Sequence, residues 1–179
     1  MFSPYKRNLI EDAMALSTVE ATIPSPAPDT GSRELSRIAA ELVGEPSLWW
    51  PHVRYKRSDR FYTRVCAGDS FEAWLLTWLP GQSTGLHDHG GSSGAFVVVK
   101  GVLTETTVSP DGAYEAVRDL AHPRVRTFGE AHVHDVANRG RIPAISLHVY
   151  APALTTMRRY ERVAEQLRQV SEETAGASW

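Results

Sequence analysis

The sequence contains a single cysteine, Cys66, among its 179 residues. One cysteine cannot form a disulfide within the chain, so the fold does not depend on an oxidising compartment. The sequence also lacks an apolar run of membrane-spanning length and an N-terminal apolar segment typical of a signal peptide. We therefore expect a cytoplasmic protein that has no membrane partner.

An excess of charge of one sign is also lacking. The formal net charge is −2 at pH 7, which gives no electrostatic reason to expect binding to nucleic acid or to anionic lipid. The hydrophobic content of 42% is ordinary for a globular protein, and the length suits one domain with a terminal extension. We expect a monomer, with a weak homodimer as the alternative, that acts on small molecules.

The domain is predicted to begin near residue 32. Residues 1–31 have the pattern of an N-terminal extension, and the alternating prolines of residues 22–29 predict an extended linker. Apolar residues then recur at spacings of three and four, from Leu35 to Val43, which predicts a helix over residues 32–44.

From residue 52 to residue 152 the apolar periodicity changes to two, which predicts strands. Residues 71–79 alternate along one such strand, and β-branched runs at 95–99 and 102–108 follow. Several short strands separated by turn residues predict a mainly β single domain, a small barrel or sandwich over residues 52–152.

After the barrel the pattern is helical again. The apolar residues after position 156 recur at spacings of three and four, with charged residues between them, and predict a C-terminal helix over residues 157–172. These apolar residues are Met157, Tyr160, Val163, Ala164, Leu167 and Val170.

The sequence His87-Asp88-His89 is the strongest chemical signal in the chain. On a strand, residues i and i+2 project from one face, so the two imidazoles can reach one metal ion. Such a pair alone is more often a coincidence than a metal site. Here, however, Gly81 and Gly101 flank it at the spacing of the first motif of the cupin superfamily.

A third imidazole comes from further along the chain. His134, four residues before Asn138, resembles the end of the second cupin motif, so the resemblance implies a three-histidine site. Many cupins add a glutamate ligand, but residues 90–94 contain no carboxylate, and Gly94 stands at that position. Three neutral ligands leave the charge of a divalent ion uncompensated, which favours an anionic ligand such as a thiolate.

From Tyr62 to Pro152 the sequence resembles the cysteine dioxygenase family of cupin thiol dioxygenases. The resemblance is carried by Tyr62-Thr63-Arg64, by Trp78 followed by the two-histidine motif, by residues 133–138 and by residues 146–152. It implies that His87, His89 and His134 bind Fe(II), and that the enzyme uses O₂ to oxidise cysteine to cysteine sulfinic acid.

The resemblance also implies roles for polar residues around the metal. Ser146, His148 and Tyr150 alternate on one strand face, and the family uses these three as a catalytic relay. Arg64 corresponds to the arginine that binds the substrate carboxylate, with Tyr62 and Trp78 as further substrate-binding residues. In the family, arginine at this position accompanies cysteine as the substrate, whereas enzymes for 3-mercaptopropionate tend to have glutamine.

Many eukaryotic members of the family carry a thioether between the active-site tyrosine and a cysteine at the position of Gly94. We therefore expect Tyr150 to be unmodified, and Cys66 to be a packing residue. Three alternatives stay open: a dioxygenase for 3-mercaptopropionate or another small thiol, a zinc hydrolase on the same barrel, and a non-catalytic metal-binding cupin that binds a small ligand or acts as a sensor.

Overall fold

The computed structural model of the protein describes residues 31–68, 70–164 and 166–174. It begins with helix α1 (Gly31–Val43), the short helix α2 (Pro46–Trp49) and a 3₁₀ turn (Trp50–His52). Helix α1 confirms the helix predicted over residues 32–44. The predicted extension and proline-rich linker of residues 1–31 lie outside the described residues, apart from Gly31.

Ten strands follow among the described residues, and their positions confirm the mainly β fold. The strands are β1 (Phe61–Ala67), β2 (Glu72–Trp78), β3 (Ser93–Lys100), β4 (Leu103–Val108), β5 (Glu115–Leu120), β6 (Val125–Phe128), β7 (Val133–Ala137), β8 (Ala144–Ala151), β9 (Thr156–Val163) and β10 (Gln166–Thr174). Strands β2, β3 and β4 lie within two residues of the predicted bounds 71–79, 95–99 and 102–108.

The strands form three antiparallel sheets. A five-stranded sheet has the order β1-β2-β8-β3-β6, a three-stranded sheet has the order β5-β4-β7, and β9 and β10 form a hairpin. An interior cluster joins the two larger sheets, with Trp78 and Phe96 from one and Leu103 and Val136 from the other. This interior is where inward-facing polar side chains are brought together.

The other face of the five-stranded sheet is covered by helix α1. Leu35, Ile38 and Leu42 of the helix pack on residues such as Leu75 and Leu147 of the sheet. Residues of β2 and β8 therefore alternate between the helix side and the interior, which buries both faces of both strands. Cys66 packs on the helix side, as a packing residue should.

The predicted C-terminal helix is wrong, because residues 156–174 form the β9–β10 hairpin. Its charged residues match across the two strands: Arg158 pairs with Glu172, and Glu161 with Arg168. Directly opposed charges of opposite sign stabilise an antiparallel pair. The spacing of apolar residues that suggests a helix is therefore also compatible with a charge-matched hairpin.

Backbone hydrogen bonds explain why the strand is preferred. The N–H of Asp88 donates to the carbonyl of Arg158, and the N–H of Tyr160 donates to the carbonyl of Leu86. In a helix, those backbone groups would be used internally and could not bind the loop that carries the histidines. No helix among residues 31–174 that the structure describes is long and apolar enough to cross a membrane.

Candidate metal centre

His87 and His134 are held together by their backbones. Each donates its N–H to the carbonyl of the other, both at 3.0 Å, in an isolated antiparallel bridge. Directly opposed residues in such a pair project from the same face, so their rings lie 4.7 Å apart in the interior. The fold thereby joins the two predicted metal motifs, which are 47 positions apart in the sequence.

Hydrogen bonds fix which nitrogen of two rings is available to a metal. His87 Nδ1 lies 2.9 Å from the carbonyl of Gly85, and His134 Nδ1 lies 2.9 Å from a carboxylate oxygen of Glu105. A carbonyl and a carboxylate accept hydrogen bonds, so both Nδ1 atoms carry the proton. The Nε2 lone pair of each ring is left for a metal ion.

His89 is oriented by ring stacking. Its ring lies 4.8 Å from that of Phe128 and 5.0 Å from that of Tyr150, centroid to centroid. Its side chain is buried, and neither of its ring nitrogens has a hydrogen-bond partner among the described residues. A buried imidazole without partners is costly, which is the condition that a bound metal ion would relieve.

The three rings fit a divalent metal ion. Their candidate ligand nitrogens lie within 4.8 Å of one another, and all three side chains are buried. Burial, the largest effect, lowers the pKa of His87, His89 and His134, so the rings are neutral and able to coordinate at neutral pH. The set suits iron, zinc, copper or nickel, and by itself does not choose between them.

Asp88, between the two histidines of the motif, points away from them and anchors the C-terminal hairpin. Its carboxylate accepts hydrogen bonds from the Tyr160 hydroxyl at 2.7 Å and the Arg158 guanidinium at 3.2 Å. The same carboxylate accepts the N–H of Gly90 at 2.9 Å, which shapes the turn after His89. The hairpin thus holds the loop that carries two ligands.

Ser146, His148 and Tyr150 form one hydrogen-bonded chain along β8. Ser146 Oγ lies 2.8 Å from His148 Nε2, and His148 Nδ1 lies 3.3 Å from the Tyr150 hydroxyl. The indole N–H of Trp78, which can only donate, binds Ser146 Oγ at 2.9 Å. Trp78 thus supports the hydrogen-bonded series through Ser146. The catalytic roles of Ser146, His148 and Tyr150 stay predictions.

Burial shifts the pKa of both titratable members of this chain. It lowers the pKa of His148 to about 3 and raises the pKa of the Tyr150 phenol above its ordinary value. At neutral pH the imidazole is therefore neutral and the phenol keeps its proton. The chain can hold a protonated phenol beside the histidine ligands and orient its O–H.

An arginine that the sequence analysis did not select reaches the same cavity. Arg60 is only 5% exposed, and its guanidinium carbon lies 5.9 Å from the ring centre of Tyr62 and 6.0 Å from that of Trp78. Its Nε has no hydrogen-bond partner among the described residues, and Asp59, at 3.7 Å from Nη1, is half-exposed. A buried guanidinium with an unpartnered donor favours an anion beside it.

Arg64, the predicted carboxylate ligand, lies elsewhere. Its side chain is 56% exposed, and its guanidinium lies 3.5 Å from Glu72, whose other oxygen accepts the N–H of Leu154. Arg64 shares a strand face with Tyr62, but it pairs with Trp74, closer to the β1–β2 turn. The structure therefore places Arg60, and not Arg64, beside the histidines.

The cavity beside the histidines combines polar and apolar walls. Its lining residues are Arg60, Leu76, Thr84, His87, His134, Val136, His148, Tyr150 and Met157. Five of these lining residues are absent from the sequence-based site: Arg60, Leu76, Thr84, Val136 and Met157. The alternation of Arg60, Tyr62 and Arg64 could have indicated Arg60, but nothing in a helical interpretation of the C-terminus could have placed Met157 in the wall.

The chain is similar to known proteins of one family. The model of the family "Cysteine dioxygenase type I" matches residues 30–163, which include all three histidines and the Ser146–Tyr150 chain. Human cysteine dioxygenase type 1 (Homo sapiens) is 26% identical over 141 residues, covering 72% of this chain and 69% of the human protein. The rat enzyme (Rattus norvegicus) is similar to the same extent.

Among solved structures, the chain resembles a protein from Klebsiella pneumoniae that has a double-stranded β-helix domain. The two share a TM-score of 0.50 at 20% sequence identity, over 57% of this chain and 84% of that one. This likeness concerns the fold alone, and it agrees with the mainly β fold described above.

Proposed function

This chain belongs to the cysteine dioxygenase type I family, and on that basis we propose that it is an Fe(II)-dependent dioxygenase that oxidises L-cysteine with O₂ to cysteine sulfinic acid. The observation that carries the proposal is one cavity lined both by a buried arginine, Arg60, and by two members of the three-histidine cluster, His87 and His134. The metal side suits a thiolate, and the arginine side suits a carboxylate.

Charge balance supports a small thiol that carries a carboxylate. Three neutral imidazoles leave the 2+ charge of a ferrous ion uncompensated, and the guanidinium of Arg60 adds a further positive charge. A substrate with one thiolate and one carboxylate would bring two negative charges to these two places. Uncompensated buried charge is expensive, so such a dianion would be favoured over a neutral thiol.

We propose that Arg60, rather than Arg64, binds the substrate carboxylate. Its planar guanidinium can donate two parallel hydrogen bonds, and its position against Tyr62 and Trp78 limits its movement. An exposed arginine such as Arg64 would have to leave Glu72 and enter the cavity. Tyr62 and Trp78 would then hold the Arg60 guanidinium in position, so both would still contribute to substrate binding, through Arg60.

The remaining residues would orient the substrate and hold a proton. The Tyr150 hydroxyl is fixed by His148, which is itself fixed by Ser146 and Trp78, so the phenol has few orientations to lose when substrate binds. Leu76, Val136 and Met157 keep water out of the apolar side of the cavity. When bound at His87, His89 and His134, iron would supply the redox chemistry with O₂.

Binding of the substrate carboxylate by an arginine does not by itself distinguish cysteine from 3-mercaptopropionate, because both carry a carboxylate. Only the amino group of cysteine differs, and the exposed position of Arg64 weakens the family argument for cysteine. A 3-mercaptopropionate dioxygenase is therefore the second candidate. A zinc hydrolase would need an activated water in place of the thiol.

The test is to load the metal-free protein anaerobically with Fe(II) or with Zn(II) and to follow O₂ uptake. Cysteine, 3-mercaptopropionate and cysteamine, which lacks the carboxylate, are compared at equal concentrations. We expect uptake with Fe(II) only, fastest with cysteine and slowest with cysteamine. If none of the three thiols supports O₂ uptake, the proposal is overturned. Faster uptake with 3-mercaptopropionate than with cysteine would favour the second candidate.

A further inference from the structure

A buried carboxylate lies directly behind one of the three histidines. Glu105 is on β4, and its side chain is completely buried in the barrel interior. It alternates with Leu103 of the interior cluster, so it projects from the same strand face. An unpaired carboxylate in such a place would cost several kcal/mol, so its partners carry information about its role.

The two oxygens of the Glu105 carboxylate have different partners. One oxygen lies 2.9 Å from His134 Nδ1 and 2.9 Å from His132 Nε2, so it accepts two imidazole protons. The other accepts the Nε–H of Arg126 at 2.8 Å, with Arg118 at 3.6 Å. Burial raises the pKa of the Glu105 carboxyl, but hydrogen bonds from His132, His134 and Arg126 hold it well below its ordinary value.

This cluster is not a second metal site. Glu105, His132 and His134 have a ligand-like arrangement, but both imidazole nitrogens lie at hydrogen-bond distance from the same oxygen. Protons therefore occupy the places that a metal ion would need. The arrangement instead couples His134 to a carboxylate whose charge is balanced by two neighbours on other strands.

We infer that Glu105 is a positioning residue for the metal centre: it fixes His134 with Nε2 toward the ion, and Arg126 moderates the negative charge that Glu105 contributes. The inference rests on the proposed metal site but not on the identity of the thiol. Of the three ligands, His87 donates to a backbone carbonyl and His89 to no described residue, so His134 is the only one here with an anionic partner. A carboxylate behind a ligand raises its basicity.

The cluster also supports His89, the ligand without hydrogen-bond partners among the described residues, through the ring of Phe128. The ring of His132 stacks on Phe128 at 5.0 Å with an angle of 19° between the planes, and Phe128 stacks on His89. Glu105 holds His132 through its Nε2 proton, so the same carboxylate supports the surface on which His89 rests. Two of the three ligands thus depend on it, one directly and one by packing.

The experiment compares Glu105→Gln with Arg126→Gln, which change the charge in opposite directions. Co(II) affinity of the metal-free proteins is measured by chelator competition, and the Fe(III)/Fe(II) potential by anaerobic redox titration. We expect Glu105→Gln to weaken Co(II) binding about 10- to 100-fold and to raise the potential, since loss of an anion destabilises the ferric state. Arg126→Gln should lower the potential.

A control separates this role from a loss of packing. Thr104→Val, next to Glu105 on β4, removes a buried hydroxyl that binds Asp119 and should leave both quantities unchanged. If Glu105→Gln does not fold, His132→Gln keeps the carboxylate and frees it for His134, and it should lower the potential. Unchanged Co(II) affinity in Glu105→Gln, or shifts of one sign in both charge variants, would overturn the inference.

The same measurements distinguish this inference from the proposed function. A wild-type protein that binds Co(II) but oxidises no thiol would overturn the dioxygenase proposal and leave the role of Glu105 standing. A wild-type protein that binds no metal would overturn both.

Discussion

The ring of Phe128 fills the space beside Gly94, because a Cβ added to Gly94 would lie 2.3 Å from Phe128 Cζ. Gly94 pairs with Phe128 on β6 and with Tyr150 on β8. In family members with a thioether, a cysteine at this position reaches the tyrosine. Here the aromatic ring takes that room and stacks on His89, in agreement with an unmodified Tyr150.

Gly94→Ala should therefore destabilise the protein through overpacking, by about 1–3 kcal/mol in the free energy of unfolding. Phe128→Leu in the same chain should recover part of that loss, since the smaller side chain leaves the Cβ room. Chemical denaturation of the four proteins of this double-mutant cycle measures the coupling. Gly129→Ala, whose Cβ would contact nothing within 4 Å, is the matched control, and equal losses at both glycines would contradict the explanation.

Arg60→Gln should raise the KM for cysteine about 10- to 150-fold, the equivalent of roughly 1.5–3 kcal/mol for a hydrogen bond to a charged group. Arg64→Gln should change KM less than about twofold, because that side chain is exposed and bound to Glu72. Steady-state O₂ uptake measures both. A large effect at Arg64 with none at Arg60 would restore the sequence-based assignment.

His148 should make the stability of the metal-free protein depend on pH. Its pKa is about 3 in the folded state and about 6.5 when unfolded, so the unfolded chain binds more protons between those values. Its contribution is present in full above about pH 6.5 and is lost progressively as the pH falls toward 3. Denaturation of wild type and His148→Gln should diverge by up to about 1.4 kcal/mol per pH unit, and parallel profiles would refute this.

Tyr160→Phe should weaken the attachment of the β9–β10 hairpin to the histidine loop. It removes the hydroxyl that donates to the buried Asp88 carboxylate and should cost about 1–3 kcal/mol in the free energy of unfolding. Arg168→Ala breaks the exposed pair with Glu161 in the same hairpin and should cost less than about 1 kcal/mol. Similar costs in the two variants would mean that the Asp88 contact does not anchor the hairpin.

Much of the fold follows from local periodicity. Helix α1 and strands β2 to β4 follow from local apolar or β-branched patterns, which depend mainly on which faces are buried. The C-terminal hairpin could not be predicted in this way. Its strands are selected by backbone hydrogen bonds from Asp88 and Tyr160 to distant segments and by charge pairs across the hairpin, and neither is visible in a window of neighbouring residues.

In the candidate site, too, some residues could be predicted from local sequence and others depend on distant contacts. His87, His89 and His134 could be predicted because ligand spacing is a local property of strands. The difference between Arg60 and Arg64 depends on how far β1 extends along β2: Arg64 lies opposite Trp74 near the turn, while Arg60 reaches the level of Trp78. Glu105 was missed because its importance comes only from partners on other strands.

Isotope labelling tests the central claim most directly. The iron-loaded protein is supplied with cysteine under ¹⁸O₂ in unlabelled water, and the product is examined by mass spectrometry. We predict cysteine sulfinic acid that carries two ¹⁸O atoms. A product with one labelled atom or none, or cysteine oxidised only to cystine, would contradict the assignment of this chain as a cysteine dioxygenase.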